Sequence, residues 1–124
     1  MGETDARPPV WIGHVTMGTC RLAESYEFMQ QLGLRAIERG DAVGILELRG
    51  GTHLVLLPSD GPAAGPAPFD LMVEDVNATH ARLSESGLAP SAIRKTDFHD
   101  SFTVRDPSGL DVTINSSHVS DLPV

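Results

Sequence analysis

Cysteine is almost missing from this sequence: Cys20 is the only one in 124 residues, so no internal disulfide can form. A chain of this length buries roughly two thirds of its unfolded surface as one domain, enough to fold without a disulfide or a metal. Cys20 itself reads as a small apolar residue near a strand end. Basic residues are scarce too. Nine Lys plus Arg stand against seventeen Asp plus Glu, a formal charge of -8, which disfavours nucleic acid and anionic membranes and favours neutral or cationic partners. No apolar run approaches the length of a membrane span, and the opening MGETDARPPV lacks the basic and apolar pattern of a targeting signal, so the expectation is a cytoplasmic protein. With one Trp, one Tyr and four Phe, an aromatic sandwich for a planar ligand would rest mainly on Trp11 or on a Phe from a loop or a second subunit. A Ser-His-Asp nucleophile context, a phosphate-binding glycine loop and a CxxC pair are all absent.

What is present is a sequence in two halves of the same grammar, lying between a polar arm at 1–9 and an arm of mixed polar and apolar residues at 117–124. An apolar strand (10–17; 69–73) leads into a helical pattern (21–31; 76–85) that stops at a glycine, Gly33 or Gly87. Asp75 stands where the second helix needs an N-cap. Strand-like runs follow at 34–38, 43–48 and 52–57, then at 92–95, 102–105 and 111–115. The turns Arg49-Gly50-Gly51 and Asp106-Pro107-Ser108-Gly109 separate the last two strands of each half. Between the halves, Gly61 to Pro68 reads as a linker without regular structure, with module 1 at about 10–57, the linker at about 58–67 and module 2 at about 68–116. Placing Gly33 on Gly87 gives an offset of 54, which also matches Leu22 with Val76, Met29 with Leu83 and Leu34 with Leu88. Past the turns the offset is 58, matching Val55 with Thr113. A duplicated βαβββ unit follows, an α+β fold in which two modules form a curved mixed sheet cup.

Alternation along the strands assigns faces. Val15, Met17, Leu54, Leu56, Phe69, Leu71, Val73, Phe102, Val104, Val112 and Ile114 point to the helices. The opposite face carries His14, Thr16, Glu47, His53, Asp70, Ser101, Thr103, Thr113 and Asn115, interleaved with Ile12, Val55, Leu57 and Met72. Apolar walls with a few hydrogen-bonding groups describe a small-molecule pocket. The predicted ligand contacts are therefore His14, Thr16, Glu47, His53, Val55, Asp70, Met72, Ser101, Thr103, Thr113 and Asn115. Glu47 can also be read as a strand glutamate facing water. His80 reads as a solvated helix residue, His99 as a candidate base on the cavity side, and His118 as a residue with a local hydrogen-bonding role.

The two βαβββ halves, with QQLGL at the first helix end, FDLMVEDVNATHARL and FTVRDPSGLDVTI, resemble the vicinal oxygen chelate superfamily of glyoxalases, bleomycin-resistance proteins and extradiol dioxygenases. The resemblance covers about residues 10–116. It implies a ligand cup, commonly in a homodimer, and in the family's enzymes a divalent metal held by side chains on the first and last strands of each half, acting on a chelating substrate or dioxygen. Carried over, those four positions fall on His14, Val55, Pro68 and Thr113. Valine and proline side chains offer no donor and neutral threonine a poor one. His14, His53 and Asp70 supply the donors for a displaced site for Fe, Zn, Ni or Mn, although a two-residue step along a strand moves a side chain by about 6.6 Å.

Beside a generic scaffold whose cup has no small-molecule role, two functions follow from these residues. One is a metal-independent binding protein of the bleomycin-resistance type that sequesters a toxic or cationic compound. The other is a glyoxalase- or dioxygenase-like enzyme, a lyase, isomerase or oxygenase, that uses the displaced metal or takes His14 or His53 as general base.

Overall fold

Each half of the sequence folds as a βαβββ module in the computed structural model, which describes residues 6–124. The first module runs β1 (His14–Thr19), α1 (Leu22–Leu32), β2 (Arg35–Arg39), β3 (Gly44–Glu47) and β4 (His53–Pro58), with a 3-10 turn at Arg49–Gly51 before β4. The second runs β5 (Pro66–Val73), α2 (Val76–Glu85), β6 (Arg94–Lys95), β7 (Asp100–Arg105) and β8 (Asp111–Ser116). The sheets have the orders β1-β4-β3-β2 and β5-β8-β7-β6. In both, the first strand pairs in parallel with the last and the remaining pairs are antiparallel. Residues 1–5 of the predicted N-terminal arm lie outside the described residues, while 6–9 and 117–124 are exposed.

The helices form because their ends are satisfied locally. The Thr19 hydroxyl at the end of β1 accepts from Arg21 N–H at 3.0 Å and pairs with Ser25 Oγ at 2.7 Å, tying α1 to the strand before it. Gly33, at φ 122°, ends α1, and its N–H and that of Leu34 close on the Gln30 and Met29 carbonyls. Asp75 caps α2 as the sequence predicts, its Oδ1 accepting from Ala78 N–H at 2.9 Å. Both helices cover one side of the sheets. Leu46, Leu54 and Leu56 pack there with Met17 and Met29, and Phe102, Val104, Val112 and Ile114 with Leu83, all in one contiguous core.

The modules meet where β1 approaches β5. Arg82 on α2 donates to the Gln31 and Leu32 carbonyls at the end of α1, at 2.7 and 3.2 Å. Those carbonyls have no partner within their own helix, so one guanidinium satisfies two orphan acceptors and links the halves.

Three expectations change. The stretch assigned to the linker contributes Pro66, Ala67 and Pro68 to β5; β5 is an edge strand of its sheet, where a proline without N–H breaks no inner ladder. The first strand begins at His14 rather than at residue 10, although the Ile12 and Gly13 carbonyls still accept from Thr52 Oγ1 and His53 N–H. His80 is not simply solvated. Its Nε2 lies 2.8 Å from the Ser91 carbonyl and its ring meets Phe102 edge-on at 5.0 Å, pinning α2 to the segment before β6.

The turn between β7 and β8 leaves no room for a side chain. Gly109 sits at φ 108°, and a Cβ there would collide with the Ala63 carbonyl of the connecting segment. Gly109→Ala should therefore lower stability by more than about 2 kcal/mol in urea unfolding, from left-handed strain plus the clash. Asp75→Ala should cost about 1 kcal/mol in the same measurement by leaving the first turn of α2 uncapped.

Candidate functional site

The side of the first sheet away from the helices carries one polar side chain per strand in a continuous row. Strand register sets His14 beside His53, His53 beside Glu47 and Glu47 beside Arg35. His53 Nε2 lies 3.1 Å from Glu47 Oε2, while Arg35 hydrogen-bonds the other carboxylate oxygen, Oε1. The His14 and His53 rings meet edge-on at 6.0 Å. Glu47 thus bonds His53 rather than facing open water, its side chain only 18% accessible.

This row has a defined electrostatic state. The Arg35 hydrogen bond, then the one from His53, holds the Glu47 carboxyl below its ordinary value. An ionised carboxylate only accepts, so His53 Nε2 must carry the proton that faces Glu47. His53 Nδ1 is then the nitrogen left for a ligand, and His14 adds a second imidazole next to it.

The next row holds Val55 between Thr16 and Ile45, which gives the polar row an apolar floor. In the second sheet, Thr113 lies between Asp70 and Thr103, and Asn115 between Met72 and Ser101. Ser101, Thr103 and Thr113 line a cavity of about 320 Å³ together with Ser91 and Arg94. Asp70 and Met72 instead line a groove between the modules with Arg49, Glu74 and Arg82. The predicted contacts thus divide into the row on the first sheet, the hydroxyl-lined cavity on the second, and the groove beside β5.

Arg35, Ser91 and Arg94 are absent from the residues singled out by sequence. Arg35 escapes because a bulge between Ala36 and Glu38 shifts the register. Counting straight back from the Arg39–Gly44 pair would set Arg35 beside Leu48. Ser91 lies outside any strand, yet it exchanges backbone and side-chain hydrogen bonds with Thr103.

The family's metal positions can now be tested against the donors present. Val55 and Thr113 occupy their strands in the matching register, and Pro68 falls where the β5–β8 pairing shifts. Both Glu47 oxygens and His53 Nε2 are already engaged. Among the described residues no three His, Cys, Asp or Glu side chains form a group able to hold a metal ion, so Asp70 does not join His14 and His53. This donor set does not fit the divalent metal that the family implies at those positions.

The clamp on Glu47 predicts a pH dependence. A carboxyl whose folded pKa is depressed stabilises the fold above its ordinary value of 4.5, and that contribution is lost as pH falls through the lower folded value. Glu47→Gln should therefore unfold at lower urea than the unaltered protein at pH 7, and the gap should close under acid conditions.

Comparison with known proteins agrees with this architecture. No curated protein sequence matches the chain. The crystal structure of lactoylglutathione lyase from Agrobacterium tumefaciens is 16% identical and superposes with a TM-score of 0.72 over 90% of this chain and 96% of that one. Oxidase ChaP-H2 is 21% identical, with a TM-score of 0.70 over 89% and 95% of the two chains. TnmS3, an antibiotic binding protein from Streptomyces sp. CB03234, is 20% identical, with a TM-score of 0.68 over 86% and 95%. At these identities the likeness concerns the fold. The sequence itself matches the profile of one family over residues 11–114, so the chain belongs to the Glyoxalase/Bleomycin resistance protein/Dioxygenase superfamily.

Proposed function

We propose that this protein binds a small organic molecule in its cup without a metal ion, in the manner of the bleomycin-resistance branch of its superfamily. The observation that carries this reading is the donor set: Val55 and Thr113 stand at two of the family's metal positions, and the Arg35–Glu47–His53 clamp takes both oxygens of the carboxylate beside His53. What remains is suited to hydrogen bonding: on the first sheet His53 Nδ1 and the His14 ring, one row from Val55, and on the second sheet the hydroxyls of Ser101, Thr103 and Thr113 around their own cavity.

The net charge of -8 favours a cationic or neutral ligand over an anionic one. Trp11 and Phe98, 71% and 86% exposed, are the aromatic rings free to cover such a molecule. An antibiotic binding protein stands among the proteins of the same fold, which supports the reading only as precedent. A homodimer, which the resemblance implies, belongs to the same proposal and is checked by light scattering in solution.

A second reading rests on the same clamp. A histidine oriented by an ionised carboxylate is the arrangement of a general base, with Glu47 fixing the tautomer that leaves Nδ1 free to take a proton. On that reading the protein is a metal-free isomerase or lyase.

Thermal unfolding with a panel of cationic aromatic antibiotics in the presence of EDTA separates the readings. The proposal predicts at least one compound that raises the melting temperature without metal, with His53→Ala weakening its binding about tenfold, near 1.4 kcal/mol. Stabilisation that appears only with an added divalent metal and disappears in His14→Ala would contradict it. Turnover of the bound compound, abolished by His53→Ala, would select the enzyme.

A further inference from the structure

Three residues outside the clamp, His99, His118 and Met72, are linked by contacts near the end of β8. His99, just before β7, places Nδ1 3.0 Å from the Ser116 carbonyl. Asp100 N–H donates to Ser116 Oγ at 3.0 Å, which fixes the segment carrying His99. Val73 pairs with Ser116 across the parallel β5–β8 ladder, and Met72 precedes it. Beyond the strand the chain folds back, so that His118 N–H points at Met72 Sδ, 3.3 Å away. The His99 and His118 rings are 4.9 Å apart.

A carbonyl oxygen only accepts, so His99 Nδ1 carries the proton and Nε2 keeps its lone pair. That is how a metal-binding imidazole is usually held: one nitrogen donates to a backbone carbonyl, and this fixes the ring and raises the basicity of the other. His118 is exposed, and its ring has no hydrogen-bond partner among the described residues. Two imidazoles sharing one ion through nitrogens at about 2.0–2.1 Å have ring centroids no more than roughly 6.5 Å apart, a limit this pair meets. The Met72 side chain is 43% exposed, and a thioether that accepts one weak hydrogen bond retains a second lone pair.

We propose that His99, His118 and Met72 form a binding site for a single soft metal ion, copper(I), at the end of the second sheet. The choice of ion follows from the donors. A thioether with two neutral imidazoles is a soft, uncharged set, and thioether sulfur selects copper(I), whereas magnesium, calcium and manganese prefer oxygen donors. The site is separate from the His14–His53 row, and it binds copper whether or not the cup takes an organic ligand.

The test is an anaerobic competition in which the purified protein withdraws copper(I) from its bicinchoninate complex. The expected result is one copper(I) per chain, with affinity at least tenfold lower in His99→Ala, His118→Ala and Met72→Leu and unchanged in His14→Ala. His118 lies beyond the last strand, so His118→Ala keeps the fold, as the melting temperature without metal will show. X-ray absorption on the loaded protein should show a sulfur neighbour that Met72→Leu removes. Failure to withdraw copper, or equal withdrawal by His118→Ala and the unaltered protein, would overturn the site. Tighter binding of zinc than of copper(I) at these residues would overturn the choice of ion.

Discussion

The parallel pairing of the first and last strand of each module is the constraint on which the candidate site depends. It brings His14 beside His53 and Asp70 beside Thr113, residues far apart in sequence. Parallel neighbours need a long crossover, here supplied by a helix and a hairpin. The helix buries one face of the sheet it crosses and leaves the other uncovered. The same pairing sets which rows of side chains lie level across the sheet.

Given that register, the chemistry of the first module follows from one carboxylate. Glu47 is shared between Arg35 and His53, and both bonds favour its ionised form. A metal at this face would meet only the His14 ring and the outer nitrogen of His53, because both Glu47 oxygens are already taken. Val55, in the next row, offers no replacement donor. The face offers hydrogen bonding and apolar contact, which is what the proposed binding of an organic molecule requires. At the positions that match His14 and His53 the second module has Pro68 and Asp111, so the two halves of the duplicated unit differ in chemistry while keeping the same strand order.

Much of the fold was legible because it rests on local, periodic signals. The alternation of Leu54 and Leu56 with His53 and Val55 gave the faces of β4, Asp75 marked the start of α2, and the offsets of 54 and 58 reappear in the register, where Thr16 meets Val55 and Asp70 meets Thr113. What escaped was irregular. The bulge at Ile37 moves Arg35 into line with Glu47, and nothing in the residues RAIER announces it. Proline content argued against a strand at 66–68, but an edge position removes the penalty. Alternation gave the correct face for His53 and Glu47 without revealing that they bond, because contact across strands requires the exact pairing partner and not only the parity. His99 and His118 looked unrelated for the same reason: the fold-back after β8 that joins them has no periodic signature.

The central claim is that Glu47, and not a metal ion, orients the histidine of the ligand face. Nitrogen-15 NMR of the imidazole side chains at neutral pH tests it most directly, recorded before and after one equivalent of zinc or nickel. The account predicts His53 with its proton on Nε2, held there by Glu47, and His14 and His53 resonances unchanged by the added ion. A His53 proton on Nδ1, or a shift of both histidines to metal-bound values at one equivalent, would contradict it.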